Sequence, residues 1–219
     1  MNLKTLTQEC TPAKILAVSK LQPESKIRSL YHEGQRLFGE NYVQEALEKM
    51  DHLQDLPDIQ WHLIGSLQKN KAKLVVGKFA LIHSVDSLAL AETLSRQCEN
   101  KNVTQNILIQ VNLAKEETKG GFDKESLLKS WQTLAELPHL NIMGLMTMPP
   151  LTETGVEVRL YFRELRQLLM ELRSETNLKR HPLTELSMGT SHDFKVAVEE
   201  GATIVRLGTI LFGERPAKM

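Results

Sequence analysis

The sequence has few cysteines, no long apolar run and no excess of charge of either sign. Cys10 and Cys98 are the two cysteines among 219 residues, too few for a disulfide framework and without metal-ligand spacing. We therefore expect a reducing, cytoplasmic location and no metal site. No apolar run could span a bilayer and the N-terminus has no signal-peptide core, so no membrane contact is expected. Lys and Arg total 27, as do Asp and Glu, which argues against nucleic acid as a partner.

Several common catalytic motifs are also missing. The chain has no P-loop, no G-x-G-x-x-G, no H-E-x-x-H and no G-x-S-x-G, so nucleotide-binding, zinc-protease and serine-hydrolase functions have no motif support. Lys69, Lys71 and Lys73 form a small basic cluster. In a chain of balanced charge, such a cluster is better explained as the solvated face of a helix than as a phosphate or nucleic-acid patch.

Short apolar runs alternate along the chain with longer amphipathic segments, and no linker marks a domain boundary. Eight such runs are predicted strands: 13–20, 36–41, 59–65, 79–86, 105–113, 140–148, 183–189 and 203–213. Nearly continuous apolar strands indicate a parallel sheet covered on both faces. The pattern predicts an α/β protein, a single (β/α)₈ TIM barrel over residues 1–219, with an open doubly wound sheet as the alternative.

Capping residues place the helices between these strands. Ser87 and Asp123 precede two of the helical segments, and Thr190 and Ser191 are the candidate caps of another. No helix is predicted after the eighth strand, so the amphipathic residues 1–11 are expected to cover the last gap of the barrel.

Polar side chains collect where the predicted strands end, the end of such a barrel that carries its chemistry. Lys20 ends the first strand, Asn41 ends the second, and His62 lies on the third. Lys20 is either a rim lysine that reaches solvent or an amine that forms a Schiff base with a carbonyl compound. His62 is either a hydrogen-bonded core histidine or a pocket residue, and His83 is interpreted as structural.

The seventh and eighth strand ends predict a phosphate site. Gly189 allows close backbone approach, and Ser191 either caps the following helix or offers its hydroxyl to a phosphate beside the free helix amides. Gly208 and Thr209, at the neighbouring strand end, favour phosphate. Arg206 lies within the apolar eighth strand and needs acceptors, for which a carboxylate such as Glu40 or Glu185 is the simplest partner.

Motifs at these strand ends carry a family resemblance. The motifs, in unbroken order from about residue 13 to residue 215, are LAVSK, FGENYVQE, WHLIGSLQKNK, HSVDS, QVN with KGG after it, GLMTM, and LSMGTSHDF with AVEEGATIVRLGTILFGER after it. In these motifs the chain resembles the pyridoxal phosphate homeostasis protein family, single-domain relatives of the alanine racemase barrel. The resemblance implies a fold-type III barrel that holds pyridoxal 5'-phosphate as a Schiff base on Lys20.

The resemblance also implies a role for the other site residues. Around the phosphate it places Ser187, Gly189, Ser191, Gly208 and Thr209. It places Arg206 against the pyridine nitrogen, with Asn41, His62 and Met188 lining the ring. The family more often has methionine where this chain has Thr190.

What the resemblance implies about function is a carrier or regulator in vitamin B6 homeostasis, without established catalysis. Arginine has only donors, so it favours an unprotonated pyridine ring, a weak electron sink. The chain ends soon after the eighth strand, so we expect no counterpart of the second domain that supplies a tyrosine acid/base in alanine racemase. Tyr42, near the rim, is better explained by helix packing. Enzymes that need the cofactor are the expected partners, and the protein is expected to be a monomer or a weak homodimer. A weak amino-acid racemase and a barrel for another phosphorylated metabolite are the alternatives.

Overall fold

Eight parallel strands close into a barrel in the computed structural model, with each strand hydrogen-bonded to the next and the last to the first. The structure describes residues 2–116, 119–150, 152 and 157–213. The closed ring confirms the predicted (β/α)₈ barrel and excludes the open sheet. The strands are β1 (Lys14–Val18), β2 (Leu37–Glu40), β3 (Gln60–Leu63), β4 (Leu81–Val85), β5 (Gln105–Val111), β6 (Leu140–Thr147), β7 (Glu185–Thr190) and β8 (Ile204–Leu207).

Helices connect the strands and form the outer layer. They are α1 (Leu3–Cys10), α2 (Glu24–His32), α3 (Val43–His52), α4 (Ala72–Val75), α5 (Leu88–Lys101), α6 (Lys124–Glu136), α7 (Arg159–Ser174), α8 (Phe194–Glu199) and α9 (Thr209–Phe212). A 3₁₀ turn, Lys69–Lys71, precedes α4. Lys69, Lys71 and Lys73 are all exposed there, as expected for a solvated face.

Two of the predicted helix caps are confirmed and two are wrong. The side chains of Ser87 and Asp123 accept hydrogen bonds from the first turns of α5 and α6. Thr190 and Ser191 do not cap α8, because β7 continues through Thr190 and the helix begins after Asp193. Asp193 Oδ1 accepts hydrogen bonds from the backbone N of Thr190 at 2.6 Å and from its hydroxyl at 3.0 Å.

The first helix lies where the barrel closes, and a short last helix follows the eighth strand. As expected for residues 1–11, α1 packs on β1 and α8 and covers the outside of the barrel there. The prediction that no helix follows the eighth strand is wrong. The strand ends at Leu207, and α9 turns away from it at Gly208.

The strands are apolar on both faces because both faces are buried. Inside the barrel, Leu16, Leu81, Leu108, Met146 and Ile204 pack together. A larger apolar cluster fills the layer between strands and helices. Above the interior cluster, the carboxyl ends of the strands form one open mouth, which is lined by polar side chains. None of the helices among the described residues is both long and apolar enough to cross a membrane.

Candidate cofactor site

Lys20 lies at the mouth of the barrel, two residues beyond β1, and is half-buried. The loop that follows β8 adjoins this strand end, since a Cβ added to Gly208 would lie 3.7 Å from both the Cβ and the carbonyl oxygen of Val18. The Lys20 segment and the predicted phosphate loop are therefore neighbours across the seam between β1 and β8.

Asn41 and Gly65 bring two neighbouring strand ends unusually close together. A Cβ on Gly65 would lie 2.1 Å from the carbonyl oxygen of Asn41, so this approach requires glycine. The side-chain oxygen Oδ1 of Asn41 is buried and has no hydrogen-bond partner in the part of the chain that the structure describes. Burying such an oxygen costs free energy unless a ligand or a water molecule donates a hydrogen bond to it. Asn41 is thus suited to bind a polar group at the mouth.

A chain of hydrogen bonds crosses the barrel interior just below the mouth. His62 Nδ1 is 2.9 Å from His83 Nε2, and His83 Nδ1 is 2.9 Å from the hydroxyl of Ser187. Arg206 donates to the same hydroxyl at 2.8 Å. All four side chains are buried. His62 is therefore a hydrogen-bonded histidine of the barrel interior, and His83, interpreted from sequence as merely structural, links it to the site.

Burial favours the neutral forms of His62 and His83. It lowers the pKa of His62 to about 4, helped by the positive charge of Lys14. It also lowers the pKa of His83 well below its ordinary value, with His62 and Arg206 adding to the effect. A nitrogen of one ring faces a nitrogen of the other, so only one of the two can carry the shared proton. A doubly charged pair would set N–H against N–H, and the geometry opposes it.

The hydrogen-bond partners of Arg206 differ from the predicted ones. The guanidinium donates to the Ser187 hydroxyl and, at 2.9 Å, to the carbonyl oxygen of Thr147, both of which are neutral. Glu40 pairs with Lys49 and Glu185 with Lys14, so the predicted carboxylate partners are engaged elsewhere. Burial lowers the pKa of Arg206 to about 10, partly opposed by the charge of Asp193. The positive charge is thus available to a ligand at the mouth.

The loops after β7 and β8 meet at the mouth. Gly189 has φ of +88°, and a Cβ there would lie 2.5 Å from the Cβ of Ala197. The Ser191 hydroxyl accepts a hydrogen bond from the backbone N of Gly208 at 3.2 Å and so joins the two loops. Thr209, the first residue of α9, is exposed. The structure thus brings Ser191 and Gly208 of the predicted phosphate loops into contact.

A cavity of about 360 Å³ opens beside these loops, a size within the range of small-molecule sites. Its lining includes two predicted site residues, Gly189 and Arg206. It also includes residues that were not predicted to form the site: Lys119, Met148, Pro149, Pro150, His192 and Asp193. They lie in the segments that follow β5, β6 and β7, and none of them was assigned a role at the site from the sequence.

Met188 lies on the opposite side of its strand from the site. Ser187, its neighbour, points into the barrel to contact Arg206, so the Met188 side chain points outward and is fully buried in the apolar layer under the helices. The expectation that this side chain lines a cofactor ring is therefore wrong. Ser187 itself lies deeper than Ser191, between Arg206 and His83.

Comparisons with known proteins agree with this geometry. The family model described as alanine racemase, N-terminal domain, matches residues 1–216. A pyridoxal phosphate homeostasis protein of Aquifex aeolicus is 50% identical over 203 residues, which cover 93% of this chain and 87% of that protein.

Two solved structures of PipY from Synechococcus elongatus are also similar. The form without pyridoxal phosphate is 44% identical with a TM-score of 0.91, and the form with it bound is 43% identical with a TM-score of 0.89. Each alignment covers 96% of this chain and 98% of PipY.

Proposed function

Because the chain belongs to the family of pyridoxal phosphate homeostasis proteins, which share the barrel of the alanine racemase N-terminal domain, we propose that Lys20 holds pyridoxal 5'-phosphate as a Schiff base. The protein binds this cofactor for vitamin B6 homeostasis: it holds it, buffers its concentration and hands it on to enzymes that need it. It does so without turning over a substrate of its own.

The observation that carries this proposal is the position of Lys20 beside the loop after β8. A Schiff base needs a lysine amine within reach of an aldehyde whose phosphate is fixed elsewhere in the site. Here the lysine follows β1, and Gly208 lies beside Val18 at the end of the same strand. The segment that carries Lys20 and the loop after β8 thus lie on either side of one seam.

The side chains at the mouth fit the other parts of the cofactor. Ser191, Gly208 and Thr209 would hold the phosphate, while Gly189 lets β7 pack closely on α8 beside them. The buried Oδ1 of Asn41 would gain a partner from the cofactor's polar substituents. Arg206 would donate to the pyridine nitrogen from its fixed position on Ser187 and Thr147.

The same residues favour holding over catalysis. When bound, pyridoxal phosphate supplies an electron sink that is strong only if the pyridine nitrogen is protonated. Arg206 has donors alone, so it favours the unprotonated nitrogen and a weak sink. The names of the relatives, which describe homeostasis, support the same conclusion.

The cytoplasm suits this role and these residues. Cys10 and Cys98 are free and buried, and burial raises the pKa of each thiol to about 11. Two inert thiols without a disulfide are typical of proteins in a reducing compartment.

Borohydride reduction followed by peptide mapping tests the attachment. The purified protein, loaded with pyridoxal phosphate, is expected to be yellow and to carry one reduced adduct on the peptide that contains Lys20. Lys20→Arg keeps the positive charge but cannot form the imine, so colour and adduct are both expected to disappear. Lys69→Ala, at an exposed lysine, is the control and should retain both. An adduct that persists in Lys20→Arg would overturn the assignment.

Exchange of the α-proton tests the absence of catalysis. The loaded protein is incubated with single L- or D-amino acids in deuterated water, and the α-proton is followed by NMR. No turnover above that of free cofactor is expected, because Arg206 leaves the sink weak. Exchange that is catalytic in protein and disappears in Lys20→Arg would favour the racemase alternative.

A further inference from the structure

The short segment that carries Lys20 is held by a buried ion cluster on the next βα unit. We call the side chains of Glu40, Glu45 and Lys49 the Lys49 cluster. Lys49 Nζ lies 2.8 Å from Glu40 Oε1 and 2.6 Å from Glu45 Oε1. It also donates to the carbonyl oxygen of Ser19 at 2.7 Å. The three donors of the ammonium group thus have three acceptors, one of which belongs to the residue before Lys20.

The cluster also holds the residue that follows Lys20. The backbone N of Leu21 donates to Glu45 Oε1 at 2.6 Å, while the Ser19 hydroxyl donates to Glu40 Oε1 at 2.6 Å. Leu21 has φ of +58°, a left-handed conformation that leucine rarely adopts. Such a conformation persists where the surroundings fix it from several sides. The peptides on both sides of Lys20 are therefore fixed by the same three side chains.

Stability alone is a poor explanation for this cluster. Glu40 and Lys49 have side chains that are 0% and 7% exposed, and buried ion pairs are often no more stabilising than apolar residues of similar volume. Glu40 Oε2 is buried and has no hydrogen-bond partner among the described residues, so the carboxylate is not even fully satisfied. Burial accordingly raises the pKa of Glu40, despite Lys49. What the cluster does supply is directed contacts to Ser19 and Leu21.

We propose that Lys49, with Glu40 and Glu45, positions Lys20 for imine formation. The inference rests on the proposed function, because it concerns the bond between Lys20 and the cofactor aldehyde. In that step the neutral amine attacks the aldehyde carbon, a C=N bond replaces the C=O bond, and the oxygen leaves as water. The reaction demands a narrow range of approach for the amine, and the Lys49 cluster restricts the backbone from which that amine extends.

Two ligands separate positioning from general support of the fold. Pyridoxal phosphate can form the imine, whereas pyridoxine phosphate has the same ring and phosphate but a CH₂OH group in place of the aldehyde. In Lys49→Met, which keeps the chain length but removes the donors, imine formation is expected to slow by about 10- to 100-fold. The affinity for pyridoxine phosphate is expected to change by less than about twofold, because Lys49 contacts the Lys20 segment and not the cavity. Stopped-flow absorbance and calorimetry measure the two quantities.

A matched control comes from the other end of the barrel. Glu200 is a buried carboxylate that binds Arg159 and Arg163, and it follows α8, which runs away from the mouth. Glu200→Gln therefore removes a buried negative charge but should leave the rate of imine formation unchanged. Glu45→Ala, at a partly exposed residue, is the second variant if Lys49→Met does not fold. It removes the acceptor for the backbone N of Leu21 and should slow imine formation in the same way.

The outcomes distinguish this inference from the function on which it rests. Slower imine formation with unchanged pyridoxine phosphate affinity supports positioning. Equal losses for both ligands, or no loss for either, would overturn it while leaving the Schiff base on Lys20 intact. If the unmodified protein forms no imine with pyridoxal phosphate, the proposed function fails and the inference fails with it.

Discussion

Gly189→Ala is expected to lower the free energy of unfolding by about 2–5 kcal/mol, the largest effect of a single methyl group that we predict at the site. The residue has φ of +88°, which costs any L side chain about 1–2 kcal/mol. A Cβ would also lie 2.5 Å from the Cβ of Ala197 and 3.1 Å from the Cα of Phe194, so β7 and α8 would have to separate. Denaturant unfolding followed by circular dichroism measures the loss.

Two further variants divide this effect into its parts. Gly34 has φ of +105° but nothing within 4 Å of an added Cβ, so Gly34→Ala measures the backbone cost alone. Adding Ala197→Gly to Gly189→Ala removes the closest contact, and the double variant should lose less stability than the two single variants together by about 1 kcal/mol or more. Equal losses in Gly34→Ala and Gly189→Ala would contradict the argument from crowding.

Acid is expected to destabilise the protein through the two buried histidines. The pKa of His62 is about 4 in the folded protein against 6.5 ordinarily, and that of His83 is also lowered. Between these pH values the unfolded chain binds protons that the folded chain does not, so stability falls as the pH falls. Above pH 6.5 the histidines contribute no such dependence. For His62 alone the loss is about 3 kcal/mol by pH 4.

Unfolding free energies measured from about pH 7 to about pH 4 check this expectation. The double variant His62→Gln/His83→Gln should show a weaker dependence of the unfolding free energy on pH over the same range. His52→Gln is the control, because His52 is exposed and its bond to Glu24 raises its pKa, which gives a dependence of opposite sign. An unchanged slope in the double variant would show that the buried pair does not carry the acid sensitivity.

The arrangement of strands was predictable from sequence because a closed parallel barrel buries both faces of every strand. That burial produces the eight nearly continuous apolar runs. Because both faces are buried, the sequence does not show which way individual side chains point. Met188 and Ser187 are equally buried, yet Ser187 points into the barrel and Met188 points under the helices. Alternation of polar and apolar residues, which would reveal the face, is lost when both faces are covered.

The chemical partners of the site residues were less predictable, because they depend on contacts between distant positions. The predicted acceptor for Arg206 was a carboxylate, since charge is the simplest match, but a hydroxyl and a carbonyl accept its hydrogen bonds. Lys49 contacts the residue before Lys20 across 30 positions of sequence and belongs to no catalytic motif. A glutamate at the end of the apolar strand β2 was the one local indication that a buried cation lay nearby.

The seam between β1 and β8 also has a meaning for the order in which the protein is made. Gly208 lies beside Val18 across that seam, so the two halves of the proposed site come from the first and the last βα units. A chain emerging from the ribosome presents the Lys20 segment early and the loop after β8 only near the end of synthesis. Under the proposed function, cofactor capture would need both segments and is therefore expected only of a completed barrel.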